Sequence, residues 1–162
     1  MNYFELFNIP VTPKVDQSIL TKKYFELQRK NHPDFFSDAT ETEKELIIQL
    51  SADINKAYTT FKDDQKTLEY FLTLNGIIEP DEKYKLPDDF LMDMMDFNEE
   101  LVDMTQDLAK EKVKLLEKTF YNEVKDLIEK YDAETVKSSI SGLKLYYYKK
   151  KYLNRILVRL ED

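Results

Sequence analysis

LQRKNHPDFF, residues 27–36, decides how the first part of the chain folds, because it contains the only histidine of the sequence and a proline directly after it. Pro33 has no backbone N–H, and its ring biases His32 away from helical geometry. A helix that enters this segment must therefore end before Pro33, and we predict a loop over residues 31–40. Side chains in such a loop are open to solvent and to a partner.

Helices are predicted on both sides of this loop. Before it, Asp16 can cap a helix whose apolar residues return at helical spacing, namely Leu20, Tyr24 and Leu27. After it, a longer stripe predicts a second helix that packs antiparallel to the first and carries Ile47, Leu50, Ile54, Tyr58 and Phe61. A further helix, DQKTLEYFLTLNG, ends at Asn75 and Gly76, which are typical of a left-handed helix stop.

Three more helices are predicted after the segment IIEPDEKYKLPDD, whose two prolines and mixed charges suggest a hinge. The first has a nearly heptad stripe of Phe90, Met94, Phe97, Leu101, Met104 and Leu108. The second carries Val113, Leu116, Phe120, Val124, Leu127 and Tyr131. The third carries Val136, Ile140, Leu143, Tyr147, Leu153, Leu157 and Leu160. We therefore predict an all-α chain with a helical hairpin in residues 1–76, a linker in 77–86 and an antiparallel three-helix bundle in 87–162.

The composition narrows the class of protein. With 42% hydrophobic residues, 35% charged residues and two glycines, the chain is typical of a helix-rich globular protein. A net charge of −8 argues against nucleic acid as the main partner. The N-terminus has no targeting pattern and no apolar run is long enough to cross a bilayer. We therefore expect a cytoplasmic protein, or the matured form of an organelle protein, that does not bind membranes.

Nothing in the sequence indicates catalysis. The chain has no cysteine and one histidine, which excludes thiol nucleophiles and typical multi-histidine metal sites. We find neither an HExxH motif nor a glycine-rich phosphate loop. We therefore expect a protein that is not an enzyme, without catalytic residues, metal or cofactor. His-Pro-Asp itself is either helix punctuation or a binding loop.

The helix before the loop has a basic outer face. Relative to its apolar stripe, Lys22 and Arg29 lie opposite the core, and Lys23 and Lys30 lie along one flank. The segment from Lys14 to Asn31 contains five basic and two acidic residues. Its net charge is therefore +3, whereas the whole chain has a net charge of −8. This face is either an ordinary solvated helix surface or a docking surface for an acidic partner.

An acidic helix follows the hinge. Eight acidic residues and no basic one lie between Leu86 and Ala109. The outward side of the helical wheel holds Met92, Met95, Asp96, Glu99 and Asp103, with Leu91 and Val102 at its edge. Exposed methionines among carboxylates are typical of a protein-binding surface. Alternatively, Leu91 and Met95 pack against a neighbouring helix or against the helical hairpin of residues 1–76.

Taken together, these blocks resemble the HscB family of J-domain co-chaperones for iron–sulfur cluster assembly. The resemblance rests on YFELF followed by NIP, then on LQRKNHPD, SADINKAYTTF, EYFLTLNG and FLMDMMDFNEEL, and it runs from Tyr3 to about Leu160. The chain departs from the family where HPDFF replaces the common HPDKF, which brings Phe35 into the loop in place of a basic residue. Thr67 stands where the family often has arginine.

The resemblance implies two partners. His32, Pro33 and Asp34, with Lys22, Lys23, Arg29 and Lys30, would dock on an HscA or DnaK-type chaperone and stimulate its ATPase. An IscU-like scaffold would bind Leu91, Met92, Met95, Asp96, Glu99 and Asp103, with Leu145 on the last helix as a weaker candidate. Two other readings stay open: a J-domain co-chaperone for another client, and a purely structural helical adaptor.

Overall fold

The computed structural model of the chain describes residues 1–162 except for the side chains of Thr135 and Val136, so the predicted core position Val136 lies outside the described residues. The described chain is built from helices, which confirms the predicted all-α class: α1 Tyr3–Phe7, α2 Gln17–Lys30, a short 3-10 helix Pro33–Phe36, α3 Glu41–Lys62, α4 Asp64–Leu74, α5 Asp88–Val102, α6 Gln106–Glu129, α7 Ala133–Lys137 and α8 Ile140–Glu161. It divides into two compact units, Met1–Leu74 and Asn75–Asp162.

An aromatic cluster forms the core of the first unit. Phe4, Phe7 and Phe61 are buried, and the ring centroid of Phe61 lies 4.9 Å from that of Phe4 and 5.8 Å from that of Phe7. Burial of large apolar side chains is the main favourable contribution to folding. The short helix α1 is therefore held in place by its two phenylalanines on α3.

The helices α2 and α3 pack antiparallel, as predicted. At one end, Gln17 Nε2 donates to Phe61 O at 3.0 Å. Further along, the Tyr24 ring stacks on Tyr58 at 3.8 Å with an interplanar angle of 12°. The Tyr24 hydroxyl also donates to Asn55 Oδ1 at 2.8 Å. These contacts fix the register of the hairpin.

The loop between α2 and α3 is more ordered than a sequence pattern shows. The helix α2 ends at Lys30, before the proline, and Pro33–Phe36 then forms a 3-10 turn with Pro33 in its first position. Proline suits that position because its N–H would have no partner there. Thr40 and Glu43 form a capping box that begins α3. The predicted loop is thus a short turn held between two helix ends.

The segment between the two predicted domains belongs to the second unit. Gly76 has φ +70°, the left-handed conformation expected of an Asn-Gly helix stop. Shortly after it, Ile78 is buried. Glu82 then bonds to Lys144 of α8. The residues predicted to be a linker therefore lie on the bundle.

The second unit packs α6 against α8 in antiparallel orientation. Its core includes the fully buried Val113, Leu143 and Leu153. The Glu117 carboxylate lies 3.0 Å from Lys150 Nζ between the two helices. Closer to the C-terminus, Gln106 Nε2 donates to Leu160 O.

The helix α5 joins this pair through aromatic contacts. Phe90 lies 5.8 Å from Phe120 of α6 and 5.7 Å from Tyr152 of α8, measured between ring centroids. Asn98 Nδ2 donates to the Tyr152 hydroxyl at 3.1 Å.

The first predicted helix of the bundle ends earlier than expected, and the last residue of its stripe, Leu108, belongs to α6. The helix α5 ends at Val102, and α6 begins at Gln106. Thr105 caps α6, since its Oγ1 accepts a bond from Leu108 N at 3.3 Å. The prediction of Leu108 as core is wrong, because this side chain is 41% exposed. The heptad spacing continues across the break, so periodicity alone did not reveal it.

The predicted third helix also begins later than expected. A short α7 precedes α8, which starts at Ile140. Ile128 is buried where Leu127 was predicted, and Tyr146 and Ile156 are buried core residues that the predicted stripe omitted.

Removal of the Thr105 cap should destabilise the N-terminus of α6. We expect Thr105→Ala to lower the free energy of unfolding by about 1 kcal/mol, because one backbone N–H of α6 loses its partner, and Thr105→Ser to retain it. The matched control is Thr119→Ala in the middle of the same helix, which should not lose stability. Urea denaturation measures all three variants. Equal stability of Thr105→Ala and the parent would show that this cap contributes nothing.

Candidate functional site

His32 holds the start of the 3-10 turn with its own side chain. Its Nδ1 accepts a hydrogen bond from Asp34 N at 3.2 Å. In the neutral ring the hydrogen is therefore on Nε2. The Asp34 carboxylate lies 3.5 Å from the same Nδ1, which is an ion pair only when the ring is protonated. His32, Pro33 and Asp34 are all exposed, so the loop is open to a partner.

The basic face of α2 lies directly before this loop. Lys22, Arg29 and Lys30 are exposed, and Lys23 is half-buried. Within the described part of the chain, none of these four side chains forms a salt bridge. Because their charges are not neutralised internally, they are available to an acidic partner. The structure thus places the basic face and the His-Pro-Asp loop in one continuous stretch.

Exposed apolar side chains lie at the loop, of which the sequence alone indicated Phe35 but not Ile48. Phe35 is 70% exposed, and its ring packs edge-on against His32 with centroids 6.1 Å apart. Ile48 of α3 is also exposed. It lines a groove of about 480 Å³ together with Pro33, Asp34, Phe36, Ser37, Lys44 and Ile47. Leu46 is exposed as well, but it lies on the opposite flank of α3, about 200° around the helix from Ile48. Leu46 and Ile48 in the segment ELIIQL do not belong to the apolar stripe of α3. This departure from helical spacing could have predicted from the sequence that both side chains are exposed.

The three methionines of α5 differ in their exposure to solvent. Met92 and Met95 are 66% and 65% exposed, whereas Met94 between them is 3% exposed. Asp96 and Glu99 are exposed on the same helix, and neither forms a salt bridge within the described residues. The outward side of the helical wheel is therefore a surface of methionines and unneutralised carboxylates.

Three other candidate residues differ in their setting. Leu91 is half-buried, at the edge of the acidic face. Asp103 is exposed but caps the C-terminus of α5 and is not within the helix. Leu145 is half-buried and lines a cavity of about 420 Å³ between α6 and α8, together with Phe120 and Val124. These three side chains contribute less exposed surface than the methionines or sit at its margin.

Within the described residues, no group of three or more His, Cys, Asp or Glu side chains is arranged to hold a metal ion. None of the helices there is both long and apolar enough to span a membrane.

Comparisons with known proteins extend over the whole chain. Residues 86–161 match the family model described as the HSCB C-terminal oligomerisation domain. A co-chaperone protein HscB homolog of Colwellia psychrerythraea is 36% identical over 172 residues, which covers 100% of this chain and 97% of that relative. A homolog of Vibrio cholerae is 42% identical over 106 residues, but that match spans 65% of this chain and only 62% of the relative.

Two solved structures are similar in fold. Chaperone HscB from Vibrio cholerae has 30% sequence identity and a TM-score of 0.63, with 99% of each chain covered. The human co-chaperone protein HscB has 28% identity and a TM-score of 0.79, with 99% of this chain and 81% of the human chain covered. Because the Colwellia match is nearly complete in both directions and both structures share the fold, the chain belongs to the HscB family.

Proposed function

We propose that this protein is a J-domain co-chaperone of iron–sulfur cluster biogenesis. Its first unit would dock on an HscA or DnaK-type ATPase, and its second unit would hold an IscU-like scaffold. The observation that carries the proposal is the exposed His32-Pro33-Asp34 loop at the end of a helix whose basic residues have no internal partners. The names of the relatives support the same role.

Docking on the chaperone would combine charge with apolar contact. The unpaired positive charges of α2 attract an acidic surface and accelerate association. Phe35 and Ile48 offer apolar area at the loop, which a partner can bury. The basic residues would then set the rate of encounter, and the apolar residues would slow dissociation.

The chemistry in this arrangement belongs to the chaperone. The loop would act by making better contacts with the hydrolysis-competent state of the ATPase than with its resting state. A ligand shifts a conformational equilibrium only through such a difference in affinity. His32 is suited to this role because its Nδ1 is already used to hold the turn, which leaves the rest of the ring for the partner.

Scaffold binding would use the acidic face of α5. Methionine side chains adapt to irregular apolar surfaces, and the carboxylates around them select a partner of positive charge. Met92, Met95, Asp96 and Glu99 form the exposed centre of this face. Leu91, Asp103 and Leu145 would contribute at its margin.

The loop residue can be tested by His32→Gln. We expect stimulation of a purified HscA or DnaK-type ATPase to fall by about tenfold or more, because coupling between the loop and the ATPase is lost. The melting temperature should fall only slightly, because the variant loses the bond from Asp34 N to Nδ1 but His32 is exposed and buries no core contact. Ser37→Ala in the same loop is the matched control and should stimulate normally. Equal stimulation by His32→Gln and the parent would show that the His-Pro-Asp segment only ends α2 and does not act on the ATPase.

The basic face can be tested by Lys22→Ala combined with Arg29→Ala. At low salt the concentration needed for half-maximal stimulation should rise about fivefold to tenfold, and the difference should shrink at high salt as screening increases. A pair of exposed lysines elsewhere in the first unit serves as control, with Lys56→Ala and Lys66→Ala expected to change nothing. Identical stimulation curves for the two double variants would mean that the basic face of α2 is an ordinary solvated surface and does not dock on the chaperone.

The methionines of α5 allow affinity and stability to be separated on one helix. Met92→Ala with Met95→Ala should cost about 2 kcal/mol of affinity for an IscU-like scaffold, roughly thirtyfold in dissociation constant. Their stability should change by about 0.5 kcal/mol or less, because both side chains are exposed. Met94→Ala is the matched core variant and should lose about 2–5 kcal/mol of stability.

Calorimetric titration with the scaffold and urea denaturation measure the two effects. A double variant that melts well below the parent and still binds scaffold normally would contradict the assignment. Normal binding at unchanged stability would show that the scaffold does not use these methionines, and absence of binding to the parent would favour another client.

A further inference from the structure

The outer ridge of α8 is defined here as Lys144, Tyr148, Lys151, Arg155 and Arg159. Their spacings of four, three, four and four residues place them on one face of the helix. The opposite face of α8 carries the buried core residues Leu143 and Leu153. The ridge thus runs along nearly the full length of the helix, on the side away from the core.

The chain itself covers the first half of this ridge. The Glu82 carboxylate accepts a bond from Lys144 Nζ at 2.6 Å and another from the Tyr148 hydroxyl at 2.7 Å. These two bonds, Lys144 first, lower the pKa of Glu82. The Tyr84 ring stacks on Tyr148 with centroids 4.2 Å apart and an interplanar angle of 10°. The covering segment has no helical structure here, so this ridge accepts an extended strand that carries a carboxylate and an apolar ring.

The second half of the ridge is uncovered. Lys151, Arg155 and Arg159 are exposed, and Val158 beside them is 61% exposed. Lys151 Nζ lies 6.0 Å from the centroid of the Tyr147 ring. Neither arginine forms a salt bridge with any described residue.

These charges differ from the other cations of the same helix. Lys149 lies 3.9 Å from a Glu123 oxygen, and Lys150 lies 3.0 Å from a Glu117 oxygen. Lys144 is bound by Glu82, as described above. In a chain of net charge −8, carboxylates are abundant, yet none of the described ones forms a salt bridge with Lys151, Arg155 or Arg159.

We propose that the uncovered half of the α8 ridge binds an extended acidic segment of a partner protein. Such a segment would continue the path of residues 77–86 along the same face. Arg155 and Arg159 would each hold a carboxylate with two parallel N–H bonds, for which guanidinium is well shaped. An apolar side chain of the segment would pack on Val158. The ridge is formed by residues of α8 and includes neither the loop residues nor those of the acidic face of α5, so the inference does not rest on the proposed function.

A synthetic peptide tests this site directly. The probe is a fluorescein-labelled peptide of alternating glutamate and leucine with one tyrosine, titrated with the full chain and followed by fluorescence anisotropy. Arg155→Ala with Arg159→Ala should weaken binding about fivefold to tenfold, because two charge-assisted contacts are lost. Lys114→Ala with Lys118→Ala, an exposed pair at the same spacing on α6, is the matched control and should leave binding unchanged.

A second peptide with glutamine in place of every glutamate should bind far more weakly to the parent, which supports the site even if the arginine variant is unstable. Equal weakening by the α6 and α8 pairs would overturn the proposal, since it would show non-specific attraction. Absence of binding to the parent would also overturn it. Self-association of the parent that is lost with the arginines would identify a second copy as the occupant. Equal arginine-dependent binding to phosphatidylserine vesicles would identify a lipid surface.

Discussion

The missing backbone N–H of Pro33 is the constraint on which the first unit depends. It ends α2 and starts a 3-10 turn in which His32 supplies the cap. Because the turn is short, α3 returns along α2 and brings Tyr58 onto Tyr24. The hairpin in turn carries Phe61 to the place where α1 can bury its phenylalanines. One residue without a donor therefore determines both the packing of the core and the exposure of the loop.

Charge is distributed unevenly over this acidic chain. Many lysines are neutralised by nearby carboxylates, as Lys150 is by Glu117. Basic side chains without a salt bridge to a described residue lie on α2 beside the loop, on α6 and on the second half of the α8 ridge, and Asp96 and Glu99 are carboxylates of this kind on α5. An unpaired charge on the surface costs little in stability, since water solvates it, but it creates a field that a partner can use. Binding of a partner to the basic face of α2, to the acidic face of α5 or to the α8 ridge would therefore not disturb the core.

Helical periodicity separates core from surface within single helices. On α5 the buried Met94 lies between two exposed methionines, so one residue type serves both packing and surface. On α8 the buried face holds the bundle together, while the ridge on the other side binds residues 77–86. Such a division lets the surface of a helix change in charge or shape without a change in the core.

The sequence by itself determined the all-α class, the end of α2 before Pro33, the Asp16 cap and the outward position of Met92 and Met95, because spacing and local backbone chemistry are sufficient for these features. It did not reveal the break at Thr105, since an apolar stripe continues across a helix boundary when both helices face the same core. It also missed the exposed Ile48 beside the loop, and the attachment of residues 77–86 to α8. These depend on which side chains from distant parts of the chain meet, such as Glu82 with Lys144, and only tertiary structure decides that.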